Sequence, residues 1–288
     1  MNQKRIFCIM LLFITASLDI CMMQYLKHHH GVLREKSQLE DREESLAVLR
    51  AFELPKDVYK ELAGADETGL EIGETAAQNL LAYLFCQTTE KPVLKQWRSR
   101  EKEADPKLFA GFTKAVQNLL SDLVYFPVPE SLNNSKAGVS YENSWQSERT
   151  YGGVRGHEGC DIMAGIQQRG YYPVISASDG VVEKMGWLPQ GGYRIGIRSR
   201  CGVYFYYAHL AEYEETLEEG IEVTAGQLLG YMGDTGYSEI EGTTGNFPVH
   251  LHFGVYLDDE EGNEISFNPY YLLEILKDDK LKYEYRTQ

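Results

Sequence analysis

His157, Asp161, His209, His250 and His252 are the residues of this chain best suited to hold a divalent cation and to move protons beside it. Of seven histidines, three stand consecutively as His28, His29 and His30, and the other four all belong to this set. Side chains alternate faces along a strand, so His250 and His252 project from one side while Leu251 enters the packing behind them. His157 and Asp161 are an even number of positions apart and share a face if the chain between them is extended. Two imidazoles and one carboxylate are a usual protein set for catalytic zinc, with the fourth position left for water. A water held in that way has its pKa lowered from roughly 15.7 to about 7. Five candidates for three ligand positions leave two side chains over. Imidazoles titrate in the right range for what an amide hydrolase needs: a proton taken from water, an oxyanion stabilised, a proton given to the leaving nitrogen. A purely structural zinc would be closed by four ligands.

Each piece has a plainer reading. The string from His157 to Asp161 could be a broken form of the helical H-E-x-x-H motif, because positions four apart also share a helix face. Gly152, Gly153, Gly156 and Gly159 argue against it, each weakening a helix by about 1 kcal/mol, so the expectation is a loop running into a strand. Glu158 then reads as a solvated carboxylate or a support for a ligand. A lone His209 in an apolar strand would read as a satisfied core histidine, and it is the company of the other four that makes it a site residue.

Three ordered stretches, His157-Glu158-Gly159-Cys160-Asp161, Tyr207-Ala208-His209-Leu210 and His250-Leu251-His252-Phe253-Gly254, resemble the M23 peptidase family, the lysostaphin or LytM type. The resemblance covers residues 148–272. Carried over position by position, it implies Zn2+ on His157, Asp161 and His252, with His209 and His250 as an unliganded catalytic pair. It also implies that Tyr151, six residues before His157, lies near the scissile carbonyl. Family members cleave peptide bonds in the cross-bridges or stems of bacterial peptidoglycan, so a zinc metalloendopeptidase acting on peptidoglycan peptides is what the resemblance implies here. The rival is an M23-like scaffold at the cell envelope that binds without cleaving. Loss of a ligand would mark that case, and all five positions are intact. A two-histidine phosphocarrier fits His209 and one of the later pair but leaves His157 and Asp161 unexplained.

The elements that must position these residues are strands joined by glycine turns. Pro173–Ala177, Val181–Met185, Tyr193–Arg198, Val203–Ala208 and Val249–Leu257 are rich in Val, Ile and Tyr and are bounded by Asp-Gly, Gly-Gly or Cys-Gly. Ser199–Gly202 reads as a hairpin connection, which sets His209 at a strand end. The expectation is a mostly antiparallel, two-layer β domain over residues 148–276, which the M23 resemblance implies is of the duplicated-hybrid-motif kind, followed by a tail over 277–288. Segments around Val181 and Val223 also suggest a biotinyl or lipoyl carrier, but no lysine stands in a matching tight turn.

Ahead of this domain the pattern changes to give an α+β chain. Lys4 and Arg5 precede an apolar run from Ile6 to Leu18, and a second patch ends near Leu26. Together they are long enough for a membrane span with one acidic interruption at Asp19. With no good small-x-small cleavage site, residues 1–30 read as an uncleaved anchor helix in preference to a cleaved signal that would release the protein. The preceding basic residues then put the body outside the cytoplasm. Residues 31–126 read as helical, with Arg34–Phe52, Gly73–Gln87 and the spacing of Leu108, Phe112, Val116, Leu119 and Leu123 carrying the signal. Asp105-Pro106 reads as a cap and first-turn proline. A spacer or an envelope-protein docking module is the expectation for this region, and residues 127–147 read as a linker.

The formal net charge is −15, and residues 151–288 hold 10 basic and 22 acidic side chains, or −12 of it. Nucleic acid is therefore not an expected partner, and teichoic-type polyanions are repelled. Cys160, if it follows the strand alternation, points away from the face of His157 and Asp161. A Cys160–Cys201 disulfide is an open alternative for an extracellular protein.

Overall fold

The structure is a computed structural model that describes residues 42–64, 71–259 and 261–286. The anchor expected in residues 1–30 and the start of the helix expected from Arg34 lie outside them. Among the described residues no helix is long and apolar enough to cross a membrane.

The first part is a group of five helices: α1 (Arg42–Ala51), α2 (Lys56–Ala63), α3 (Glu74–Cys86), α4 (Lys91–Ala104) and α5 (Pro106–Ser121). Helix α3 is the centre, with Leu80, Leu81, Ala82, Leu84 and Phe85 all buried. Its Phe85 ring stacks on Trp97 at 5.2 Å and on Phe112 at 6.5 Å, which joins α3 to α4 and α5. Helix α5 starts where expected: Pro106 occupies the first turn and the Asp105 carboxylate accepts from the Leu108 amide at 2.9 Å, satisfying an amide that the helix itself cannot.

The rest is mostly antiparallel sheet. Its strands are β1 (Glu130–Ser131), β2 (Val139–Ser140), β3 (Glu148–Arg149), β4 (Arg155–Gly156), β5 (Cys160–Ala164), β6 (Pro173–Ile175), β7 (Gly180–Leu188), β8 (Gly192–Ser199), β9 (Tyr204–Tyr213), β10 (Glu222–Val223), β11 (Leu228–Met232), β12 (His250–Asp258), β13 (Glu264–Phe267) and β14 (Lys282–Tyr283), with helix α6 (Pro269–Leu276) after β13. Ten of them form one sheet in the order β10-β7-β8-β9-β12-β5-β2, with β13 beside β12 and a branch in which β11 joins β9 to β6. The branch folds back over the main sheet. The Tyr207 hydroxyl, fully buried on the inner face of β9, accepts from the Ala177 amide just past β6 at 2.8 Å. Phe205, Tyr207, Leu251, Phe253 and Val255 face this core, all at 0% exposure, and alternation sends Tyr206, His252 and Tyr256 to the other face.

Strand β9 corrects one expectation. It does not end at His209 but runs on to Tyr213, where Leu210, Glu212 and Tyr213 pair with β11. The continuation is short, polar in part and not punctuated by glycine or proline, so composition does not mark it.

The helical group is not held apart from the sheet. One continuous set of buried side chains runs from Leu49 in α1 to Tyr285 near the end of the chain. Polar bonds cross the same boundary: Arg50 Nε donates to the Ser266 carbonyl at 3.0 Å, Lys56 Nζ to the Ile275 carbonyl at 2.6 Å, and the Cys201 amide to Asp122 at 2.7 Å. Residues 127–147, linker-like in composition, are also bound into the structure. Val128 is buried, the Pro127 carbonyl accepts from Ile175 at 2.9 Å, β2 pairs with β5, and β1 pairs in parallel with β14 of the tail. Ladders of two residues leave no periodic trace in a sequence. Cys160 and Cys201 are free thiols, so the Cys160–Cys201 bridge is not formed. Cys160 faces the core at 0% exposure, as alternation requires.

Candidate metal centre and catalytic cleft

The sheet register brings the candidate ligands together. His252 lies opposite Asp161 on one side and opposite Ala208 on the other, so the carboxylate of β5 and the imidazole of β12 are cross-strand neighbours. His157 sits in the extended turn before β5, its amide bonded to the Ser147 carbonyl and its carbonyl to the Gln146 amide, both at 2.9 Å. Between the two ligands Gly159 passes behind the His252 ring, where a Cβ would lie 2.3 Å from Cε1. Only a residue without a side chain lets the ring occupy that position.

Three atoms converge. Nε2 of His157 is 3.0 Å from Nδ1 of His252 and 3.1 Å from Oδ1 of Asp161, and Nδ1 of His252 is 3.0 Å from the same oxygen. Donors at tetrahedral corners about 2.0–2.1 Å from a zinc ion stand only a little farther apart than this. Two imidazoles and a carboxylate are also the right donor chemistry, so the residues fit the ion. They are the one His/Cys/Asp/Glu group among the described residues that could hold a metal. The other Asp161 oxygen is taken by Arg149, whose Nη2 lies 2.6 Å from Oδ2. Burial by itself would raise the Asp161 carboxyl, but the hydrogen bonds from His157 and His252 outweigh it and hold the group well below the usual carboxylate range. The hydroxyl and carbonyl of Ser144, at 3.0 and 3.3 Å from Nδ1 of His157, keep that ring turned so that Nε2 faces the carboxylate.

His209 and His250 stand beside this cluster, their ring centroids 4.7 Å apart. Alternation from Phe205 and Tyr207 would send His209 into the core. It reaches the other face because β9 bulges there: from Tyr207 to Leu210 it advances three residues while β8 retreats two, from Ile195 to Tyr193. His209 takes the left-handed conformation, φ 62, which is uncommon for a residue with a side chain and recurs at functional sites. Each ring is then latched through Nδ1, His209 to the Thr235 carbonyl at 2.7 Å and His250 to the Pro248 carbonyl at 2.8 Å. A carbonyl only accepts, so Nδ1 carries the proton in both, and Nε2 is the atom left for the cleft. Thr235 comes close enough because Gly192 (φ +63) has no Cβ, which would lie 2.2 Å from the Thr235 oxygen. Burial lowers the pKa of His209, His250 and His252, and for His209 the neighbouring imidazoles lower it further, so these rings are neutral near pH 7.

These groups line or adjoin a cleft of about 350 Å3 whose walls include Arg149, Arg155, Glu158, Gln190, Tyr206, Tyr237 and Tyr256. Tyr151 is not among the cleft residues. Its ring stacks flat on Tyr237 at 4.7 Å and borders an adjoining groove with Gln190, Gly191 and Tyr206. Phe247 completes the aromatic side, 4.6 Å from His209 and 4.8 Å from Tyr237. Glu158 points outward to Arg50 of α1 at 2.8 Å, a solvated supporting position. Arg149, Ser144, Thr235 and Phe247 were not foreseen, since each acts through a close approach that no residue spacing announces. The three ligand candidates and the two further imidazoles do come together.

The model of the family described as Peptidase family M23 matches residues 155–267, which takes in every one of these five side chains. The L-Ala–D-Glu endopeptidase of Bacillus subtilis (strain 168) is 42% identical over 147 residues, 50% of this chain and 41% of that protein. Lysostaphin of Staphylococcus simulans is 35% identical over 124 residues, 42% of this chain and 22% of that protein. The chain thus spans less than half the length of the curated relatives it matches. A solved structure from Ruminococcus gnavus ATCC 29149, named as a glycyl-glycine endopeptidase lytM, is similar over far more: 38% identity, TM-score 0.69, 83% of this chain and 94% of that one. Its extent reaches the helices as well as the sheet, and with the family model lying over the whole ligand set, the chain belongs to peptidase family M23.

Proposed function

We propose that this protein is a zinc metalloendopeptidase that hydrolyses peptide bonds of bacterial peptidoglycan, held by its N-terminal segment with the hydrolase outside the cytoplasm. The observation that carries the reading is the pair of carbonyl-latched imidazoles beside a three-donor cluster. His157, Asp161 and His252 would hold the ion. When bound, zinc supplies Lewis acidity toward the scissile carbonyl and brings hydroxide within reach at neutral pH. The protein's own residues do the rest. Nε2 of His209 and Nε2 of His250 are basic lone pairs fixed in direction, able to take the proton of the attacking water and return it to the leaving amide nitrogen. Once protonated, either imidazole lies where it can offset the charge that develops on the carbonyl oxygen. Arg149 keeps Asp161 turned through its contact with Oδ2, and the rings of Phe247 and Tyr237 exclude water from one side of His209. Tyr151, stacked on Tyr237, is placed by this reading at the substrate groove beside the reacting centre. Lys4 and Arg5 before the apolar run from Ile6 support the anchored, outward arrangement.

The peptidase relatives named after glycyl-glycine and L-Ala–D-Glu bonds support the substrate class, and retention of all five side chains speaks against a non-cleaving scaffold. The test digests purified cell walls with the full chain and zinc, beside a His250→Ala variant that still takes up one zinc. New peptide termini from the parent and none from the variant are expected. Equal release by both, or none by either, counts against hydrolysis at this site.

A further inference from the structure

The cleft wall holds one positive charge that the protein leaves unanswered. Arg149 and Arg155 are directly opposite each other on the β3–β4 hairpin, a placement that like charges disfavour. Arg149 is answered by Asp161 at 2.6 Å. Arg155 lines the same cleft next to His157 and Tyr206, its Nε is buried without a hydrogen-bond partner, and it makes no ion pair among the described residues. The two carboxylates of the cleft are both committed elsewhere, Asp161 to Arg149 and the imidazoles, and Glu158 to Arg50 at 2.8 Å. A buried guanidinium N–H with nothing to donate to is costly, and its planar fork matches a carboxylate better than any neutral group. The surrounding field adds to the point. Residues 151–288 carry −12 of the net charge, so an anionic peptide is repelled in general and needs a local cation to be admitted.

We propose that Arg155 forms a carboxylate-binding subsite, selecting peptides with a free carboxylate on the residue that adjoins the scissile bond. The inference rests on the peptidase reading above and narrows its substrate to the acidic stem peptide, since a glycyl bridge offers no such group.

Three synthetic probes test it: L-Ala-γ-D-Glu-L-Lys with a free α-carboxylate on the glutamate, the same peptide as its α-carboxamide, and pentaglycine. The zinc-loaded full chain is compared with Arg155→Met and Arg155→Lys, with zinc affinity measured by chelator competition on each. The parent is expected to favour the free acid over the amide by at least about tenfold in kcat/KM. Arg155→Met should raise KM for the acid by a similar factor, affect the amide far less and bind zinc as the parent does, and Arg155→Lys should recover part of the preference. Equal losses on acid and amide, weaker zinc binding that accounts for the loss, or pentaglycine as the preferred substrate would each overturn the subsite. If the parent cleaves none of the three, the wall digest above decides the peptidase reading. Titration calorimetry then decides the subsite separately: an acid-over-amide binding preference that disappears in Arg155→Met upholds it, and no preference removes it.

Discussion

At the scale of single residues, function here depends on which nitrogen of a ring is free. The Thr235 and Pro248 carbonyls remove that choice for His209 and His250, so the proton inventory of the site is set before any substrate arrives. Replacing His209 by Ala should lower kcat by about 10²–10⁴-fold, the range for losing a positioned proton-transfer group. Zinc affinity should stay at the parental level, because His209 is outside the three-donor cluster. Steady-state rates with a cleavable peptide and chelator competition check the two halves, and a large loss of zinc binding would move His209 into the ligand set. The five side chains themselves were legible because zinc and proton chemistry restrict which residue types can serve, and four of the seven histidines sit in three short motifs. Their supports were not. Ser144, Arg149 and Thr235 are common surface residue types, and what makes them matter is a distance near 3 Å that only the folded chain creates.

At the scale of elements, alternation explains the placement of His252 and Tyr206 but would put His209 on the wrong face, and one extra residue in β9 reverses it. Glycine-bounded strands and the Asp105-Pro106 helix start were legible since both rest on local chemistry, whereas the bulge and the extension of β9 are dictated by partners distant in sequence. Stability has a local check on β7 and β8. Arg198 grips Glu183 with two nitrogens and lies over the Tyr204 ring at 4.9 Å. The Arg198 hydrogen bonds hold the Glu183 carboxyl below its ordinary value despite partial burial. A depressed folded pKa contributes stability that is present above the unfolded value and is lost as pH falls through the folded one. Glu183→Gln should therefore cost about 0.5–1 kcal/mol near pH 7, the pair being partly solvated. Its difference from the parent should shrink as pH drops through and below the carboxylate range. Urea midpoints at pH 7 and pH 3.5 measure it, and a difference that grows toward acid would contradict the assignment.

At the scale of the whole molecule, the helices and the sheet share one core, so they should not come apart in steps. Urea unfolding followed at once by far-UV signal and by tyrosine environment is expected to give coincident, single transitions. Two separated midpoints would show that Leu49, Leu54 and the α6 side chains do not couple the two parts. The Arg50 contacts with Ser266 and Glu158 tie α1 to β13 and to the loop between two zinc-ligand candidates, which makes the helical group part of the site's mounting. Composition could not reveal this, because interface side chains on a helix look like any other apolar stripe. The parallel pairing of Glu130–Ser131 with Lys282–Tyr283 has a mechanical outcome. Tension applied between the segment before β1 and the segment after β14 pulls the two strands lengthwise in opposite directions. The load then falls on all the bonds of that clasp together instead of peeling them one after another, and the sheet inside is shielded until the clasp gives way.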